Sequence, residues 1–208
     1  MGLIGLLPDW LSAEGLFDIL GPWALIGFTV IIYVECAIFL GMFFPGDSLL
    51  FLTGMLVAAG DIGEPLWLVL LVLYLAAILG NITGYHVGAA VGPRLFNRPD
   101  SRFLKPEHVE KTHAFFEKYG ATSIILARFV PIVRSLITAV AGIAGMDRRK
   151  FYLYSAIGAV FWVIGVVLLG VALGRVEFVR NNLEAFLLGF VVVSFIPILV
   201  ELRRHRSA

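Results

Sequence analysis

Apolar residues occur along this chain in runs that approach the length of a membrane span, and short polar segments separate them. Residues 66–92 and 151–173 are each predicted to form a full span, and residues 185–202 a shorter one. Residues 22–60 are too long for one span and contain a Pro-Gly-Asp break at 45–47. Because the piece after that break is too short to cross about 30 Å of hydrocarbon, the sequence predicts two half-helices that form a re-entrant hairpin.

The other segments complete the predicted organisation. Residues 1–20 combine aromatic and acidic side chains, and we predict an interfacial helix there. Residues 93–120 form a charged loop, predicted to be cytoplasmic, in which a short amphipathic helix is expected after Pro106. Residues 121–145 are apolar again but carry Pro131 and two arginines near their middle, which favours a second re-entrant hairpin.

The uneven distribution of basic residues tests this second hairpin. All 16 Lys and Arg residues lie after position 93. If residues 121–145 enter the membrane and return, twelve loop and tail basic residues lie on one side and two on the other; if the segment crosses, the division is eight against six. Because cytoplasmic loops carry the excess of Lys and Arg, the pattern favours the hairpin and a cytoplasmic carboxyl terminus. The amino terminus is then outside, unless residues 22–44 cross fully.

The composition is that of an integral membrane protein. The chain is 60% hydrophobic and 15% charged, whereas soluble domains are about 45–50% apolar. We therefore predict an all-α fold with residues 1–208 as a single membrane domain. The segment PGDSLL at 45–50 weakly resembles PIVRSLI at 131–137, which suggests two oppositely oriented halves of an inverted repeat. The single cysteine, Cys36, excludes an internal disulfide and a multi-cysteine metal site.

Four ionisable residues interrupt the apolar segments, two acids in the first hairpin and two bases in the second: Glu35, Asp47, Arg128 and Arg134. Each costs about 2.5–3.5 kcal/mol at the centre of a lipid-facing helix. Non-helical backbone at membrane depth is tolerated where protein or a cavity surrounds it. We therefore predict that the four charges compensate one another across a protein-lined cavity.

The arginines indicate what this cavity binds. Guanidinium groups bind phosphate oxygens in a bidentate manner and stay charged when partly dehydrated. Arg134 and Ser135 are expected at the start of a half-helix, where backbone N–H groups also favour an anion. We predict that Arg128, Arg134 and Ser135 bind a phosphate-sized anion. The alternative is a purely structural lattice of acids and arginines that holds the hairpins together.

The two acids have alternative interpretations. Burial of a carboxyl group in the membrane favours its neutral form, so Glu35 is a candidate proton carrier. A permanent pairing of Glu35 with an arginine is the alternative. Asp47 follows Pro-Gly and precedes an apolar run, which is typical of a helix N-cap, alone or together with a role in the site.

Small and polar residues mark one face of the span at 66–92. Glycines recur every fourth position, which is typical of close helix packing. Three polar side chains of this span are candidates to line the cavity: Asn81, Tyr85 and His86. The sequence contains no nucleophile elbow, phosphate-binding loop or metal-ligand motif. We therefore expect neither an enzyme nor a bound metal or cofactor.

Three segments strongly resemble the DedA family of bacterial membrane proteins, also called the SNARE-associated or VTT-domain family. They are ECAIFLGMFFPGDSLLFLTGML (35–56), GNITGYHVG (80–88) and ARFVPIVRSLITAVAGIAGM (127–146). The resemblance implies two facing re-entrant hairpins and places the family's functional acids and arginines on Glu35, Asp47, Arg128 and Arg134. Members of this family have been linked to recycling of undecaprenyl phosphate, to phosphatidylethanolamine movement and to proton-dependent stress tolerance.

Together with these features, the resemblance implies a flippase in the bacterial cytoplasmic membrane that moves a polyprenyl phosphate, such as undecaprenyl phosphate, for recycling of the cell-envelope carrier lipid. Proton coupling through Glu35 or Asp47 is an option. The alternatives are a phospholipid flippase or scramblase, and a proton-dependent exporter of small ions. The expected partners are a lipid phosphate and membrane lipids, with no nucleic acid. The sequence leaves the oligomeric state open, with a homodimer as one option.

Overall fold

The computed structural model of this protein describes residues 17, 19–38, 46–96, 124–125, 128 and 131–176, and all regular secondary structure in these residues is helical. The predicted span at 185–202 lies outside the described residues. The predicted interfacial helix at 1–20 and the predicted loop at 93–120 lie almost entirely outside them, as does the first part of the second predicted hairpin.

Two short helices flank the predicted break in the first apolar region. A 3-10 turn at Gly21–Trp23 leads into α1 (Ala24–Ala37), and α2 spans Gly46–Ala59. Each α-helix has 14 residues, about 21 Å at 1.5 Å per residue. The predicted break at 45–47 marks where α2 begins, but α1 already ends at Ala37 because Ile38 adopts extended backbone angles.

The next two helices differ in length. Helix α3 spans Leu66–Phe96 and is long and apolar enough to cross a membrane. This confirms the helix predicted at 66–92 and extends it by four residues. Helix α4 spans Pro131–Ile143, with proline at the first position, where its missing N–H costs nothing. Its carboxyl end is closed at Gly145, whose φ of 65° is left-handed.

The last described helix is continuous but contains a local irregularity. Helix α5 (Arg148–Ala159) passes through a π-helical turn at Val160–Ile164 into α6 (Gly165–Gly174). Together they are the second helix long and apolar enough to cross a membrane. The helix begins before the predicted 151–173 because the Asp147 side chain caps it, accepting a hydrogen bond of 2.9 Å from the Lys150 backbone N–H.

The short helices pack on the long ones in a reciprocal way. Helix α2 lies along α6, whereas α4 and α1 lie along α3. Close approach depends on small residues: the backbone of Gly54 faces that of Gly170, and Gly142 faces the backbone of Tyr85. Each helix that follows a break in the sequence therefore packs on the long helix of the other half of the chain.

The glycine stripe of α3 packs as predicted. A Cβ atom at Gly80 or Gly84 would meet the backbone of α1 near Cys36, and one at Gly88 would overlap the backbone of Ala139 in α4. The stripe therefore lets one face of α3 contact two helices at backbone distance, which confirms the packing interpretation for these three positions.

The opposite surface of the long helices is apolar and open. Leu71, Leu75, Leu79 and Val87 of α3 are all exposed, at 44% to 54% of their surface. Residues spaced at three and four positions share a helix face, so these side chains form an uncovered apolar surface. A surface of this kind suits contact with lipid.

A glycine pair in α6 tests the packing of α2 on α6. We expect Gly170→Ala to lower stability by about 1–3 kcal/mol, because its Cβ would overlap the Phe51 carbonyl, a backbone group that cannot rotate away. Gly165→Ala is the matched control, since nothing lies within 4 Å of a Cβ there. Thermal unfolding in detergent measures both. Equal Tm values for the two variants would contradict the packing.

Candidate functional site

Three of the four predicted charged residues meet in the interior. Arg134, in the first turn of α4, bonds through Nη2 to Glu35 Oε1 at 2.5 Å and through Nη1 to Asp47 Oδ1 at 2.7 Å. Glu35 lies near the end of α1 and Asp47 in the first turn of α2. The ion pairs therefore connect three short helices. We call Glu35, Asp47 and Arg134 the charge cluster.

The start of α2 is shaped to admit the Glu35 carboxylate. Gly46 is buried, and a Cβ at this position would overlap Glu35 Oε2. Only glycine lets the backbone approach the carboxylate this closely. Helix α2 begins at Gly46, so Asp47 lies within the first turn and does not precede it. Its Oδ1 accepts hydrogen bonds from side chains of other helices.

Trp162 forms one wall of the charge cluster. Its indole N–H donates to Asp47 Oδ1 at 2.6 Å, and the Arg134 guanidinium carbon lies 4.3 Å from the ring centroid. This distance is within the range of cation–π attraction. Trp162 lies in the π-helical turn, and such turns occur frequently at functional sites.

Arg128 occupies a different environment beside α5. Its Nη2 donates to Ser155 Oγ at 3.3 Å, and the same oxygen accepts a hydrogen bond of 3.0 Å from Asn81 Nδ2 of α3. Gly158 makes room for the arginine, because a Cβ there would lie 2.8 Å from Arg128 Cδ. The guanidinium carbon is 5.7 Å from the Trp162 ring centroid. Trp162 therefore contacts both the Arg128 environment and the charge cluster.

The two arginines differ in the number of carboxylate partners that they have among the described residues. Arg134 has two carboxylate partners, whereas the structure records none for Arg128 within the part of the chain that it describes. Arg128 is 3% exposed, and its Nη1 has no hydrogen-bond partner among the described residues. Glu35 Oε2 is likewise buried and has no side-chain partner there, with the Gly46 backbone lying against it. Arg128 Nη1 and Glu35 Oε2 therefore have no side-chain hydrogen-bond partner among the described residues.

The remaining predicted residues lie at different places. Asn81 is buried in the Arg128 environment, as described above. Tyr85 donates through its hydroxyl to the Met146 carbonyl, and His86 Nε2 lies 2.6 Å from the Tyr152 hydroxyl. Tyr85 and His86 thus make their contacts with Met146 and Tyr152, outside both environments. Ser135 belongs to α4, but its side chain lies outside the described residues.

Sequence reasoning missed three contributors on α5 and the π-helical turn: Ser155, Gly158 and Trp162. They are spaced at three and four positions within an apolar span, so they fall near one helix face. That spacing is the signal by which they could have been found. In the residues that the structure describes, no group of three or more His, Cys, Asp or Glu side chains is placed to hold a metal ion.

Comparison with known proteins identifies the family. A VTT domain matches residues 44–172. The chain is 37% identical to "Protein DedA" of Escherichia coli K12 over 188 residues, which cover 90% of this chain and 86% of that protein. It is 40% identical to an uncharacterised membrane protein of Mycobacterium tuberculosis H37Rv over 195 residues, 94% of this chain and 84% of the relative.

A more distant relative extends the comparison. "Inner membrane protein YqjA" of Escherichia coli K12 is 32% identical over 146 residues, 70% of this chain and 66% of the relative. No solved structure matches the chain. The matched domain contains Asp47, Arg128 and Arg134, so most of the site described above lies within it. The chain therefore belongs to the VTT-domain, or DedA, family of membrane proteins.

Proposed function

We propose that this protein is a flippase that moves a polyprenyl phosphate, such as undecaprenyl phosphate, between the leaflets of the bacterial cytoplasmic membrane. The observation that carries the proposal is the buried Arg128, whose Nη1 has no partner among the described residues. An unpaired buried cation is costly unless an anion compensates it. A phosphate group that enters beside Arg128 supplies that compensation, and the isoprenoid tail stays in lipid.

A phosphate group matches the donors and the charge of Arg128. The guanidinium fork binds two phosphate oxygens at once and stays charged when buried. Because Arg128 has no carboxylate partner among the described residues, its charge favours the entry of a substrate anion. The chemistry is binding and movement, since no step requires a bond to break.

The charge cluster has a complementary role in this proposal. Arg134 is neutralised by Glu35 and Asp47 when the site is empty, which lets three short helices meet at membrane depth at a tolerable cost. Arrival of a phosphate at Arg128 adds a negative charge near Trp162, whose ring both guanidinium groups approach. Arg134, with Ser135, then completes the phosphate contact, and Glu35 or Asp47 offers a place for a coupled proton.

The proposed architecture is an inverted repeat of two re-entrant hairpins. Its support is the reciprocal packing of α2 on α6 and of α4 on α3, which two halves related by a pseudo-two-fold axis would produce. The charge pattern of the sequence adds a cytoplasmic carboxyl terminus. Rocking of one half against the other then exposes Arg128 to each leaflet in turn.

A second candidate is movement of phosphatidylethanolamine. The observation in its favour is Glu35 Oε2, a buried acceptor without a hydrogen-bond partner among the described residues. A zwitterionic head group would place its phosphate at Arg128 and its ammonium group at this oxygen. The two candidates differ in whether the ligand needs an ammonium group.

Reconstitution in liposomes tests the proposal. We expect purified protein to move a polyprenyl phosphate between leaflets faster than protein-free liposomes do, without release of inorganic phosphate. A phosphatidylethanolamine reporter in parallel liposomes identifies the second candidate. Movement of that reporter alone would indicate that phosphatidylethanolamine, and not a polyprenyl phosphate, is the substrate. Release of inorganic phosphate would indicate an enzyme.

A further inference from the structure

We propose that Ser155, held by Asn81, forms with Arg128 an oxyanion-binding subsite for a phosphoryl group, separate from the Arg134 charge cluster. This inference deepens the proposed function and rests on it. It adds to Arg128 a second phosphate contact, Ser155 of α5, which the sequence does not mark as part of a phosphate site.

The hydrogen bonds around Ser155 determine where its proton points. Its Oγ accepts from Asn81 Nδ2 at 3.0 Å and from Arg128 Nη2 at 3.3 Å. A hydroxyl oxygen has two lone pairs and one proton. Because both lone pairs are occupied by donors, the proton points away from Asn81 and Arg128 and is available to a third group.

Two donors on adjoining side chains then have no recorded acceptor among the described residues, the Ser155 hydroxyl and Arg128 Nη1. Ser155 and Asn81 are each 1% exposed, and Arg128 is 3% exposed, so water competes weakly for these donors. Two donors and a positive charge match an oxyanion with at least two unsubstituted oxygens. Phosphate meets this requirement both as a lipid head group and as a free ion.

Asn81 acts as a positioning residue in this subsite. Its side-chain amide donates a hydrogen bond to Ser155. Among the described residues no hydrogen bond joins Asn81 to Arg128, so the effect of Asn81 is to fix the direction of the Ser155 proton. Gly158 has no side chain, which lets the aliphatic part of the Arg128 side chain lie against α5. Asn81 and Ser155 come from the two long helices, so the subsite joins the two halves of the chain.

Binding of farnesyl phosphate to purified full-length protein in detergent tests the subsite, with farnesol as the ligand that lacks the phosphate. We expect Ser155→Ala to weaken farnesyl phosphate binding about tenfold, the loss typical of one hydrogen bond to a charged group. Farnesol binding should not change. Thr53→Val is the matched control, since Thr53 is also buried but its hydroxyl donates within its own helix to the Leu49 carbonyl at 2.7 Å.

Further variants keep the test decisive if Ser155→Ala does not fold. Ser155→Cys preserves the side-chain volume and replaces a strong donor with a weak one, so it should also weaken binding. Asn81→Leu frees the Ser155 proton to turn toward other acceptors and should weaken farnesyl phosphate, again without affecting farnesol. Farnesyl phosphate affinities within twofold of wild type for Ser155→Ala or Ser155→Cys would overturn the subsite.

Failure of the subsite is distinguishable from failure of the proposed function. If the wild type binds farnesyl phosphate no better than farnesol, both are wrong. If the wild type prefers farnesyl phosphate and the Ser155 variants match it, the subsite alone is wrong. Inorganic phosphate added as a competitor distinguishes a lipid phosphate from the free ion. If inorganic phosphate displaces farnesyl phosphate and binds with the same affinity, the subsite is supported and its ligand is the free ion.

Discussion

Arg128→Gln should abolish lipid phosphate movement and leave the fold as stable as the wild type or more so. Arg128 is buried and has no carboxylate partner among the described residues, and its Nη1 is unpartnered there. Removing such a charge relieves a desolvation cost that no carboxylate among the described residues compensates. Glutamine keeps an amide that can still donate to Ser155. The prediction is checked by Tm in detergent together with the rate of flipping in liposomes.

The Tm and the flipping rate of Arg128→Gln together show whether Arg128 serves the fold or transport. A residue that serves the fold lowers stability when it is removed, whereas a residue held in a costly state for its function does the opposite. A fall in Tm of Arg128→Gln as large as that of an Arg134 variant would show that Arg128 belongs to a structural lattice. Flipping at the wild-type rate would remove Arg128 from the mechanism.

Arg134→Ala should both destabilise the protein and abolish flipping. The substitution leaves Glu35 and Asp47, bonded to Arg134 at 2.5 Å and 2.7 Å, without a counter-ion in the interior. Breaking a buried ion pair by removing one partner typically costs about 3–5 kcal/mol. The measurements are Tm in detergent and the flipping rate of whatever folded protein can be reconstituted.

A neutral replacement of the whole cluster separates the two effects. The triple variant Glu35→Gln, Asp47→Asn and Arg134→Gln leaves no buried charge within the charge cluster, so its Tm should return to within a few degrees of the wild type. Flipping should remain absent, because the contact of Arg134 with the phosphate is still missing. Recovery of flipping in this variant, or wild-type flipping by Arg134→Ala, would contradict the assignment of Arg134 to transport.

The long helices of this fold were predictable, whereas one helix end was not. Apolar runs with few charges fix α3 and the continuous helix at Arg148–Gly174. The end of α1 at Ala37 was hidden, because the residues after it are as apolar as those before it. Hydrophobicity reports that a segment is buried and says little about where its backbone stops being helical.

The charged residues of the site were predictable, but their partners were not. Acids and arginines stand out in apolar segments because burial makes them costly. Which of them pair depends on how the helices dock, and Arg134 is 87 and 99 residues from its two partners. Ser155 and Trp162 remained unnoticed because a serine or a tryptophan in a span is ordinary. Their role follows from the neighbours that the fold gives them.

The central claim is that Arg128, which has no carboxylate partner among the described residues, binds the phosphate group of the substrate. The most direct measurement is the affinity of wild type and Arg128→Gln for farnesyl phosphate and farnesol, in the same detergent and at the same salt concentration. We predict that the wild type prefers farnesyl phosphate and that Arg128→Gln loses about 100-fold in affinity for it, as expected for two charge-assisted hydrogen bonds, with no change for farnesol. Equal affinity of the two proteins for farnesyl phosphate would contradict the claim.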